Sequence, residues 1–155
     1  KYYKSAIKND FKVGFYHFYR FDRNPVKQAE FFISQVKSKK HSLPIVVDIE
    51  EWGNNIIKPK KEITKDIKTF IKLLEKKLGK NIMIYTNESG YDTYIKKDLS
   101  KYKLWICSFK DEDIIENKWK FWQYSHKGKF ESIEGWVDIN TFNGSRQDWN
   151  KFLVK

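Results

Sequence analysis

Two carboxylates stand at the end of an apolar run in LPIVVDIEEW, residues 43 to 52. Asp48 and Glu50 are two residues apart, so on a strand both side chains project to one face. Their Cα atoms then lie roughly 6.5 to 7 Å apart at about 3.3 Å per residue. Glu51 should face away. Carboxylates at this range in a partly dry, aromatic-walled mouth repel each other, which raises one pKa while the other group stays ionised. Glycosidic cleavage needs such a pair, an acid for the leaving oxygen and an anion for the oxocarbenium-like centre. Metal sites and salt-bridged strand ends share the D-x-E pattern, so the elements that carry it must decide.

Six segments read as strands: 12 to 18, 44 to 50, 81 to 87, 103 to 109, 119 to 125 and 135 to 142. The second is apolar on both faces until it reaches Asp48, as a strand buried in a parallel sheet would be. Helices are expected between the first four. Asn24 and Pro25 form a cap and first turn ahead of Ala29, Phe32, Ile33 and Val36. Pro59 opens a lysine-rich helix striped by Ile63, Ile67, Phe70, Ile71, Leu74 and Leu78, and Gly79 closes it. Strand and helix alternating at this spacing predict parallel pairing with right-handed crossovers. A short Gly-containing loop joins the last two strands and predicts an antiparallel end, with a final helix near residues 146 to 153. The opening KYYKSAIKND reads as the tail of a helix without its strand. The expected fold is α/β, a TIM-like (β/α) barrel with an irregular, partly antiparallel C-terminal part. Eight-stranded barrels usually take about 200 residues or more, so residues 1–155 read as a single catalytic barrel domain that is N-terminally incomplete by two strands.

Composition narrows the class. With 40% hydrophobic and 17% aromatic residues the chain should form a core, and 6 Trp, 9 Tyr and 12 Phe exceed what that core requires, so some rings should line a cleft. No apolar run approaches the roughly 20 residues of a membrane span, which predicts a soluble domain. No charged-then-apolar leader is visible. The single Cys107 cannot form an internal disulfide and is expected as a small buried hydrophobe. The net charge of +11 permits nucleic-acid binding, but no nucleic-acid motif accompanies it and the lysines spread over helix faces. A solvated face, or attraction to a polyanionic surface such as an anionic cell wall, accounts for them.

In a parallel barrel the reactive groups sit at the C-terminal strand ends. Those ends offer Tyr16, His17 and Phe18; Asp48 and Glu50; Tyr85, Thr86 and Asn87; Trp105 and Ser108; Gln123 and Tyr124; and Asp138 and Asn140. This is a set suited to a sugar. GFYHF, PIVVDIEEW, IYTN, LWICSF, WQYS and GWVDIN, in that order and spacing, resemble the family 25 glycoside hydrolases. These lysozymes cleave the β-1,4 bond between N-acetylmuramic acid and N-acetylglucosamine of bacterial peptidoglycan. The resemblance covers essentially the whole chain. It implies that Glu50 is the general acid and that Asp48 stabilises the transition state, directly or by orienting the substrate's 2-acetamido group. It further implies that Asp138 is another acid of the site and that Tyr16, Phe18, Tyr85, Trp105 and Gln123 line the sugar groove. It implies a monomer that needs no cofactor or metal, takes peptidoglycan rather than nucleic acid as partner, and is secreted or associated with the cell wall. The family opens with a strand carrying a D-x-S-type motif whose Asp belongs to the site, followed by a second strand, and neither is present here.

Other candidates are weaker. His17 has no G-x-S-x-G elbow to serve, and histidines at 17, 41 and 126 are too scattered for a metal site, so a packed or hydrogen-bonded His17 is expected. Trp52, Trp122 and Trp136 are open between core positions and sugar platforms. Gly128 and Gly135 read as turn residues. Beside the muramidase stands a second reading, a barrel remnant that binds glycan without cleaving it.

Overall fold

A computed structural model describes residues 2–110 and 118–153. A short helix α1 (Tyr2–Lys8) precedes β1 (Phe15–Phe18), α2 (Pro25–Val36), β2 (Ile45–Asp48), α3 (Lys60–Leu78) and β3 (Ile82–Asn87). A turn of helix, α4 (Glu88–Gly90), runs into a π-helical segment, Tyr91–Ile95. Then follow β4 (Lys103–Cys107), β5 (Phe121–Phe130), β6 (Ile133–Phe142) and α5 (Arg146–Phe152).

The capping signals act as expected. The Asn24 side chain accepts from the Val26 and Lys27 amides at 2.9 and 3.0 Å, with Pro25 in the first turn, where no amide partner is needed. Lys60–Leu78 follows Pro59, and Gly79 stops it at φ 92°. Ser145 and Asp148 form a reciprocal capping box on α5.

All six strands join one sheet in the order β1-β2-β3-β4-β5-β6. β1 to β5 are mutually parallel and β6 returns antiparallel to β5. The main core fills the space between the sheet and α2 and α3: Ile45, Val47, Ile49, Ile82 and Ile84 face Ala29, Phe32, Ile63, Ile67, Phe70 and Leu74. On the other, concave face, Val46 and Met83 pack with Phe152, and Trp149 and Phe142 close around them. His17 belongs to the helix side: its ring stacks on Phe70 at 5.0 Å and its Nε2 bonds to Gln28 Oε1 at 3.1 Å, the packed histidine that was expected.

The sheet is a curled half-barrel: among the described residues β1 and β6 do not pair, and they form its two edges. Two expectations are corrected. The supposed loop between the last two strands is itself strand, because β5 and β6 continue as a long irregular hairpin to Phe130 and Ile133. Gly128 is not a turn residue but lies opposite Val137, where a Cβ would collide with the Ile139 side chain.

Phe70 is fully buried and touches both His17 and Tyr19. Phe70→Ala should lower the unfolding free energy by about 3–5 kcal/mol in a urea titration, whereas Lys72→Ala on the solvent side should change it by less than about 0.5 kcal/mol.

Candidate active site

Strand parity builds the site. Val47 and Ile49 enter the helix-side core, so Val46, Asp48 and Glu50 must point to the concave face. There they line a pocket of about 240 Å³ together with Tyr16, Tyr85, Trp105, Gln123 and Asp138. Seven of the eight residues chosen from the sequence thus converge. The eighth, Phe18, pairs in register with Asp48 but lies half-buried toward Gly53, outside the lining of this pocket. Glu51 does face away: it accepts from the Tyr94 hydroxyl at 2.8 Å and pairs with Lys60 at 3.6 Å.

The backbone bearing the two acids is tied down at every residue. The Tyr19 amide donates to the Asp48 carbonyl at 2.9 Å, and the Ile49 amide donates to the Tyr85 carbonyl at 2.9 Å. Thr86, fully buried, donates its hydroxyl to the Ile49 carbonyl at 2.7 Å, and the Asn54 amide group donates to the Glu50 carbonyl at 2.8 Å. Thr86 and Asn54 are therefore positioning residues. In the sequence Thr86 reads only as a polar strand end. Asn54, in a loop after the motif, gave no signal because its role depends on where the chain turns back.

The aromatic wall is held by polar contacts. Tyr85 donates to Gln123 at 2.7 Å, and Trp105 donates its indole N–H to Asn140 at 2.8 Å while meeting the Tyr85 ring edge-on at 5.2 Å. Burial, then the neighbouring Cys107 thiol, push the Tyr85 hydroxyl well above its usual range, so it remains a neutral donor. Cys107 is not the core residue expected. Two positions beyond Trp105, it shares that residue's face and lies half-buried in the groove wall.

The acids are electrostatically unequal. Burial first, and then the negative charge of Glu50, push Asp48 from 3.8 to about 7. Its Oδ1 is buried without a hydrogen-bond partner. Glu50 is also raised, by burial. Both acids thus hold a proton more tightly than a free carboxyl does, and Glu50 also opens onto the wider groove.

That groove, about 1220 Å³, runs from Glu50 and Asp138 past Trp52 to Phe109, Lys110 and His126. Trp52 is 81% exposed and lines it, so it is no core residue. Trp122 is half-buried against Trp119 and donates to the Ser108 carbonyl at 2.8 Å. Trp136 is exposed on the hairpin. Phe109 and His126, 4.6 Å apart, and Glu88, held ionised by Lys110 and Ser108, are groove residues that sequence reasoning passed over. Among the described residues no three His, Cys, Asp or Glu side chains group to hold a metal ion.

Residues 1–133 match the family model of Glycosyl hydrolases family 25. A solved family 25 glycosyl hydrolase from Bacillus anthracis is 32% identical, with a TM-score of 0.83 covering 98% of this chain and 75% of that one. The bacterial lysozyme from Streptomyces coelicolor is 25% identical, with a TM-score of 0.77 over 97% and 76% of the two chains. The uncharacterized protein YegX of Escherichia coli K12 is 30% identical over 148 residues, which are 94% of this chain and 53% of that protein. The chain thus spans about half the length of the curated relatives it matches.

The Asp48 shift sets a sign for stability. A folded-state pKa of about 7 against an ordinary 3.8 means that the folded state binds the proton more tightly, so this contribution is full below about 3.8 and is lost as pH rises through 7. Asp48→Asn, neutral throughout, should be more stable than the parent by roughly 1–3 kcal/mol at pH 8 and nearly equal to it at pH 4. A pH-independent difference in melting temperature would contradict the burial argument.

Proposed function

The chain belongs to glycosyl hydrolase family 25, and from that premise we propose that it hydrolyses the β-1,4 bond between N-acetylmuramic acid and N-acetylglucosamine in bacterial peptidoglycan. One observation carries the reading: two carboxyls on one strand face, both with raised pKa, sit on the floor of a pocket walled by Tyr85 and Trp105. Glu50, which opens to the groove, protonates the glycosidic oxygen as the anomeric carbon–oxygen bond breaks. Asp48 supports the positive charge at the anomeric carbon, directly or by orienting the 2-acetamido group. A substrate N–H directed at the unpartnered Asp48 Oδ1 favours the ionised form there and leaves the shared proton to Glu50. The pair therefore acts in its one-proton form, and its apparent pKa values belong to both groups together. Asp138 and Gln123 hold the sugar's polar edge while the rings cover its apolar face.

Residues 1–155 are proposed as one catalytic unit, acting outside the cell or at the wall as a monomer. The open flank between β1 and β6, where Tyr16 is 69% exposed, favours a second reading. Without further polypeptide in that gap, the half-barrel would hold glycan but not cleave it.

Glu50→Gln should lower kcat/KM for wall clearing by about 10²–10⁴-fold with little change in melting temperature. Lysis retained by this variant would remove Glu50 from the acid role. A parent protein that binds wall yet releases no reducing ends would establish the second reading.

A further inference from the structure

The β5–β6 hairpin carries a feature that the acid pocket does not use. Beyond Gln123 and Asp138, its strands continue to Phe130 and Ile133. Trp136 lies two residues before Asp138 and four before Asn140 on β6, so strand alternation puts all three on one side. Asn140 is fixed to that side by the Trp105 indole. The pairs Gly128↔Val137 and Phe130↔Ile133 set four steps of β6 against two of β5, and Gly135 takes up the excess at φ 91°. Beside this irregularity the Trp136 ring is 60% exposed.

Lys129 Nζ sits 4.6 Å from the centroid of that ring, a cation–π contact that steadies one face and leaves the rest to solvent. Phe130 and Ile133, 56% and 50% exposed, border the same shallow pocket of about 330 Å³. Three large apolar side chains on an arm outside every core cluster contribute little to folding, and such clusters mark a binding surface. Two surfaces suit an aromatic with a lysine: a glycan strand or a lipid headgroup layer. Lys127 and Lys129 are matched by Glu131 and Glu134 on the same arm, so the tip has no net attraction for an anionic bilayer. The strand leads instead straight from the acid-lined floor.

We propose that the hairpin arm is a distal glycan-binding platform, in which Trp136 stacks on a sugar of the same strand whose cleaved bond lies at Asp48 and Glu50, and Lys129 holds the ring in place. The inference rests on the muramidase reading and adds a second site to it. It makes the protein prefer polymeric wall over short fragments.

The test compares the full-length protein with its Trp136→Ala and Trp136→Phe variants on purified sacculi and on a soluble tetrasaccharide of alternating N-acetylglucosamine and N-acetylmuramic acid. For Trp136→Ala, the KM for sacculi should rise about tenfold relative to that for the tetrasaccharide, equivalent to about 1.4 kcal/mol, and Trp136→Phe should recover most of it. Co-sedimentation with sacculi, measured in a Glu50→Gln background, should weaken in parallel. An unchanged KM ratio, or equal loss on both substrates, overturns the platform. So does a defect confined to binding of phosphatidylglycerol vesicles, which would make the arm a membrane contact. If the parent hydrolyses neither substrate, the muramidase reading fails, while co-sedimentation of parent and Trp136→Ala still decides whether the arm binds glycan.

Discussion

Alternation along β2 is the constraint on which the rest depends. A strand packed on both faces must send successive side chains to opposite layers. Ile45, Val47 and Ile49 are drawn to the helix side by the buried faces of α2 and α3, and this compels Val46, Asp48 and Glu50 onto the concave side. A slip of one residue would bury both carboxylates among isoleucines and expose the apolar set, so register and site geometry are one requirement. The parallel pairing then carries the same parity to its neighbours, placing Tyr16 beside Val46, and Tyr85 beside both Asp48 and Trp105.

The acid pair is held against its own electrostatics. Placing a carboxyl where Oδ1 meets no donor, beside a second carboxyl, disfavours ionisation. The backbone clamps from Tyr19, Thr86 and Asn54 supply rigidity where the side chains do not stabilise one another. Groups kept apart from their preferred protonation state by fixed surroundings characterise sites built for proton transfer.

Packing thins with distance from this floor. Strands β1 to β3 are backed by α2 and α3, whereas the β5–β6 hairpin leaves the sheet with register shifts and exposed rings. The concave face is filled from below by α5, whose Trp149 and Phe152 meet Phe121 and Phe142, so the half-barrel has a packed base under the pocket without a closed wall.

Much of this was legible in residue order. The caps at Asn24 and Gly79, the stripe of α3 and the D-x-E parity follow from local rules that depend only on neighbours in the chain. The pocket residues Tyr85, Trp105 and Gln123 followed from their places at strand ends. Other features depend on contacts between distant segments. The far ends of β5 and β6, residues 126 to 130 and 133 to 134, are stabilised by their pairing rather than by their own propensity. Cys107 belongs to the groove because its face of β4 stays open beside Gln123 of the neighbouring strand, which an apolar run alone does not reveal. Asn54 becomes a clamp only because its loop folds back 35 residues in sequence onto Tyr19. Sequence by itself determined which residues form each element and which face each strand residue takes, since those rest on local sterics and alternation. Tertiary structure alone decided that Asp48 is desolvated with its Oδ1 unpartnered and that Trp136 stands free, since desolvation and exposure are properties of what surrounds a residue in space.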